Sequence, residues 1–212
     1  MRKPILVFLV VLFSFRVEAG EIADHFEKGN YFVKIKDYDS AIKEYEEVIK
    51  LNPKHTLAYI QLGIIYALRK DYSKAIKYYK KALVLNPKSY LTYYNLGLIY
   101  TAKGDFSRAI TYFLAARKLF PKSYLLNYNL GLAYTETGNY EKAIKAFKEC
   151  LKINPNYFKA YVGLGGAYYK KGDKASALKI VKKLKKLGQN ALANALSNWI
   201  RDKESKKLKI KF

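Results

Sequence analysis

Four prolines, Pro53, Pro87, Pro121 and Pro155, follow one another at intervals of 34 residues. Self-similarity at that period restricts a chain to repeated helix-turn-helix units, each burying its apolar face by stacking on its neighbours. Laid out in blocks, residues 22–55, 56–89, 90–123, 124–157 and 158–191, the columns agree. One column reads Gly29, Gly63, Gly97, Gly131 and Gly165. A second reads Ala41, Ala75, Ala109, Ala143 and Ala177, and a third Phe32, Tyr66, Tyr100, Tyr134 and Tyr168.

Each block divides into two helical patterns. In the first half Tyr59, Leu62, Gly63 and Tyr66 recur at i, i+3, i+4 and i+7, which is one helical face. In the second half Tyr72, Ala75, Ile76 and Tyr79 repeat that spacing. A polar turn separates the halves, and Asp37, Asp71, Asp105, Asn139 and Asp173 are placed to cap the second helix. The prolines stand where that helix must stop. Glycine inside a helix costs about 1 kcal/mol against alanine. Five in register therefore predict a close helix–helix approach, with the alanine column as the facing small residue.

The pattern resembles the tetratricopeptide repeat family. Block two carries Tyr59, Leu62, Gly63, Tyr66, Ala75, Tyr79, Ala82 and Pro87. Block three carries Tyr93, Leu96, Gly97, Tyr100, Ala109, Phe113, Ala116 and Pro121. Departures are Asn127 in block four, His25 and Lys28 in block one, and Val181 with no proline in block five. The resemblance implies an all-α, right-handed α-solenoid over residues 20–203. Residues 191–203 read as one more amphipathic helix, a C-terminal cap with Leu192, Leu196, Trp199 and Lys203 along one side and Ile200 beside them, Trp199 serving as its anchor. Residues 204–212 are expected to be a basic tail, whose Lys207-Leu208-Lys209-Ile210-Lys211-Phe212 alternates charge and apolarity.

The first 19 residues depart from the repeats. Arg2 and Lys3 precede an apolar run from Ile5 to Phe15, and Val17-Glu18-Ala19 offers a cleavage site before Gly20. This is the pattern of a secretory signal peptide. The repeats are expected to be exported, to a periplasmic or extracellular location, or held at a membrane if the segment is retained as an anchor. Cys150, the only cysteine, occupies a small-residue core position and reads as a buried, inert thiol.

The formal charge is +23, unevenly spread. Residues 21–55 carry six Lys against eight Asp and Glu, whereas residues 170–212 carry fourteen Lys and Arg against three acids. Lys43, Lys77, Lys145 and Lys179 form one column, and Lys50, Lys118, Lys152 and Lys186 another. They fit an anionic partner such as lipid head groups, polysaccharide or an acidic protein. They also fit a solvated face, the commoner role of such charge runs. Export and the lack of a nucleic-acid motif disfavour nucleic acid.

In the family resembled, first helices line a concave groove that binds peptides. Carried over by column, the groove residues are Leu57, Ile60, Gln61, Ile64, Leu91, Tyr94, Asn95, Leu98, Leu125, Tyr128, Asn129 and Leu132. Gln61, Asn95 and Asn129 would give one amide per repeat, donor and acceptor both, facing a peptide backbone. Thr101 and Thr135 are the polar exceptions beside them. In block five Gly163, Gly165 and Gly166 crowd the first helix; two of them are expected to face the groove, leaving a bare notch and a weak helix. His25 and His55 have no metal-ligand spacing, and neither a catalytic constellation nor a phosphate loop is present in the sequence. The expected protein is a non-enzymatic scaffold for protein contacts, with no cofactor, metal or small-molecule substrate.

Overall fold

The computed structural model describes the backbone of residues 3–209 and the side chains of residues 19–203. The expected signal peptide, apart from Ala19, and the expected tail, residues 204–212, lie outside the described side chains. The chain forms α1 (Lys3–Lys34), α2 (Tyr38–Leu51), α3 (Thr56–Leu68), α4 (Tyr72–Leu85), α5 (Tyr90–Ala102) and α6 (Phe106–Leu119). These are followed by α7 (Tyr124–Glu136), α8 (Tyr140–Ile153), α9 (Phe158–Lys171), α10 (Lys174–Lys186) and α11 (Asn190–Lys209). The helices are arranged as tandem pairs in two compact units, Met1–Thr92 and Tyr93–Phe212. Among the described residues, no helix is long and apolar enough to cross a membrane.

The turn inside each pair is built the same way five times. Lys36, Lys70, Gly104, Gly138 and Gly172 occupy one column, and all have positive φ, between 62° and 98°. The next residue donates its N–H back across the turn: Asp37 to Phe32, Asp71 to Tyr66, Asp105 to Tyr100, Asn139 to Tyr134 and Asp173 to Tyr168, at 2.8–2.9 Å. This six-to-one bond over a left-handed residue ends one helix and aims the chain into the next. Four of the five predicted caps then close the following helix. Asp37, Asp71, Asp105 and Asp173 accept the N–H of Ser40, Lys74, Arg108 and Ser176. Asn139 does not. Its amide instead donates to the carbonyl and hydroxyl of Thr137.

The second helix of each of the first four pairs ends on an extended residue before proline, as the clash with the proline ring requires. Asn52, Asn86 and Asn154 also accept the N–H two residues on, from Lys54, Lys88 and Asn156. Phe120 takes that position in the third pair.

The cores follow the predicted columns with one correction. The glycines do not face the alanines; they face the second-helix aromatics. A Cβ on Gly29, Gly63 or Gly131 would lie 2.6 Å from the ring of Tyr45, Tyr79 or Phe147, and one on Gly97 would overlap Phe113. These rings are at most 1% exposed and cannot yield. An aromatic needs more depth than two alanines would, so the glycine makes room for a ring rather than for a backbone. Block five has Val181 in the aromatic position. A Cβ on its Gly165 would lie 2.5 Å from Leu196 of α11. The capping helix thus supplies the bulk that Val181 lacks, and Leu196 and Ile200 are buried with Ala177, Val181 and Leu184.

Candidate functional site

Within Met1–Thr92, the predicted groove residues of α3 divide cleanly from its core residues. Ala58, Tyr59, Leu62 and Ile65 are buried, while Leu57 is 57% exposed and Ile60, Gln61 and Ile64 are half-buried. Leu91, at the edge of this unit, is 50% exposed. Gln61 has no hydrogen-bond partner among the described residues. His55 caps α3, its Nδ1 accepting the Ala58 N–H at 3.2 Å, and burial pushes its pKa below the usual histidine value. His25, half-buried in α1, places its ring nitrogen Nδ1 2.6 Å from a Glu44 carboxylate oxygen.

Within Tyr93–Phe212, the predicted residues Tyr94, Asn95, Leu98, Leu125, Tyr128, Asn129 and Leu132 all keep some exposure. Leu98 and Leu125 are each 37% exposed, and the rest are half-buried. Asn129 donates an amide N–H to the Tyr94 hydroxyl at 3.1 Å, tying α7 to α5. Burial raises the pKa of that hydroxyl, so it stays protonated at neutral pH. Asn95 has no hydrogen-bond partner among the described residues. Tyr128 packs edge-on to Tyr157, 5.0 Å between centroids, and tilts against Phe147. Thr101 and Thr135 turn their hydroxyls back to the carbonyls of Gly97 and Gly131, at 2.9 and 2.7 Å. They therefore offer a methyl more than a donor.

The glycines of block five do not break α9, which is continuous from Phe158 to Lys171. Two of them, Gly163 and Gly166, line a cavity of about 350 Å³ between α7, α9 and α11. Leu132, Phe147, Val162, Leu196 and Trp199 wall it, and Gly163 and Gly166 leave its α9 side bare. Lys170 stands at its edge, paired with Glu136 at 3.0 Å. Trp199 anchors the cap as expected, its ring 5.3 Å from that of Tyr169, but it also faces this cavity. The triple glycine signalled the notch in the sequence. The part played by Trp199 had no sequence signal, because it depends on where α11 docks.

All eight lysines of the two predicted columns are exposed and lie on second helices. Lys50 is paired with Glu47 at 3.0 Å. Cys150 is fully buried, and burial pushes its thiol up to about 11. Among the described residues, no group of His, Cys, Asp and Glu could hold a metal ion.

Sequence profiles described as TPR repeat match residues 29–69 and 131–172, and tetratricopeptide repeat profiles match residues 56–89 and 78–111. No curated protein matches the chain. Among solved structures, a MamA protein is 30% identical with a TM-score of 0.76, covering 82% of this chain and 95% of its own. MamA from Desulfovibrio magneticus RS-1 is 22% identical with a TM-score of 0.75, covering 80% and 96%. YrrB, described as a TPR protein with an unusual peptide-binding site, is 19% identical with a TM-score of 0.73, covering 82% and 90%. At the last two identities the likeness is one of fold.

Proposed function

The chain belongs to the tetratricopeptide repeat family, and from that premise we propose that it is an exported scaffold that holds a polypeptide against its first helices. The observation that carries this reading is the amide column of α5 and α7. Asn95 is half-buried with no hydrogen-bond partner among the described residues, and Asn129 bonds there only to Tyr94. A half-buried amide without a partner loses hydrogen bonds that a peptide backbone restores. Leu98, Leu125 and Leu132 on the same two helices keep exposure and offer apolar contact of the kind that marks binding faces. The peptide-binding site described for YrrB supports the same assignment.

The test is a photo-crosslinker at position 95 in the native host, with adducts identified by mass spectrometry. A polypeptide adduct is expected. No adduct, from protein shown to be folded, removes the groove reading. Asn95→Ala with Asn129→Ala should weaken binding of the captured partner while leaving the fold intact.

Export rests on Arg2, Lys3 and the apolar run Ile5 to Phe15. N-terminal sequencing of protein recovered outside the cytoplasm should read from Gly20. A start at Met1 in a cytosolic fraction overturns that part of the reading.

The exposed lysine columns support a second reading, a surface for anionic partners. Its binding should collapse as salt rises, because the screening length falls from about 10 Å at 0.1 M to about 3 Å at 1 M. Apolar groove binding should persist.

A further inference from the structure

We propose that the cavity between α7, α9 and α11 is an anchor pocket for one bulky apolar side chain of an acidic peptide. The proposal rests on the groove reading and names what the groove takes at that end. Gly163 stands in the column that holds Asn95 and Asn129, and Gly166 in the column that holds Leu98 and Leu132. Where the earlier helices present an amide and a leucine, α9 presents no side chain at all. A backbone following the amide column arrives at a hole.

The two glycines have different reasons to be there. A Cβ on Gly163 would lie 2.5 Å from Phe147, so packing demands that glycine. A Cβ on Gly166 would meet nothing within 4 Å. Its φ is not in the left-handed region either, so neither sterics nor backbone geometry requires glycine at 166. A residue that costs helix stability and relieves no clash serves to keep space open.

The size and chemistry of that space select the occupant. A cavity of about 350 Å³ is at the small end of ligand sites and fits one aromatic or large aliphatic side chain. Leu132, Phe147, Leu196 and Trp199 supply apolar walls, and Lys170 is the single charged residue lining it. Buried anchors of this kind carry most of the energy of peptide recognition. Residues 93–203 hold 20 Lys and Arg against 6 Asp and Glu. The flanks of a bound peptide therefore meet a positive field, which favours acidic neighbours to the anchor.

Trp199 is the only tryptophan, so its emission reports on the cavity without a label. The probes are two heptapeptides, one with a central phenylalanine between flanking glutamates, the other with alanine at the centre. Each is titrated into the full-length protein and followed by calorimetry and Trp199 emission. The phenylalanine peptide should bind at least about tenfold more tightly, the advantage of burying one large apolar side chain. It alone should shift the Trp199 emission. Gly166→Leu should fill the cavity and abolish the tenfold difference, and Gly166→Ala, which leaves more room, should reduce it.

Equal binding of the two peptides, or no binding of either, overturns the proposal. If Asn95→Ala with Asn129→Ala weakens both peptides but Gly166→Leu leaves their ratio unchanged, the groove stands and the anchor pocket falls. If Gly166→Leu erases the ratio while the double amide variant changes nothing, the pocket stands and the amide column is not the track. A Trp199 shift with dodecanoate and none with the peptide assigns the cavity to a lipid and overturns the peptide. A shift that grows with protein concentration alone assigns it to a second copy, with the same consequence.

Discussion

Gly131 and Gly166 both sit inside helices and answer to opposite demands. Gly131 faces the buried ring of Phe147, where a Cβ would sit 2.6 Å away; Gly166 faces open space. Gly131→Ala should therefore destabilise the protein by about 1–3 kcal/mol, the range for overpacking a core. Gly166→Ala should stabilise it by about 0.5–1 kcal/mol. Chemical denaturation of the two variants checks both signs. The column of five glycines was legible in the sequence; what each one faces was not, because the ring comes from another helix. His55 belongs to the same scale. Its folded pKa lies below the unfolded value of about 6.5, because burial disfavours the charged ring. The stability it contributes is present above pH 6.5 and is lost as pH falls through the folded value. His55→Ser keeps a capping oxygen and should flatten the fall in Tm between pH 7 and pH 5. An unchanged slope would remove His55 from that role.

At the level of single elements, helix ends and the last helix matter most. Lys36 and Lys70 hold the left-handed turn position that glycine takes in the other three pairs. A side chain there is strained, and Lys70→Gly should stabilise by about 0.5–1 kcal/mol after the greater entropy of an unfolded glycine is counted. The measurement is the urea midpoint at unchanged slope. The turn column was visible as Lys in the first two pairs and Gly in the next three, but its sign of φ followed only from the backbone. Helix α11 has a larger part. Leu196 fills the space over Gly165 that the second-helix aromatic fills in earlier repeats, so Leu196→Ala should cost about 2–5 kcal/mol. Amide exchange should then speed up in α9 and α10 before α7 and α8. Uniform loss of protection would mean that α11 stabilises the unit as a whole rather than its last pair.

Across the whole molecule, charge and period are properties of the sequence, and cavity and contacts are not. A net charge of +23 with the basic excess at residues 170–212 predicts that binding of an acidic peptide weakens with salt. The phenylalanine-to-alanine ratio in the anchor pocket should hold across the same salt series, because apolar burial is unscreened. The 34-residue period determined the helix pairs, their caps and which residues stay out of the core. It could do so because each of these depends on neighbours within one helix or its adjoining turn. The Tyr94–Asn129 hydrogen bond, the glycine–aromatic pairs and the cavity walled by Leu196 and Trp199 join residues from different helices. A periodic pattern specifies which face each residue occupies. Only docked backbones decide how far apart two faces lie, and so whether a missing side chain is filled by a neighbour, as at Gly165, or left as a hole, as at Gly166.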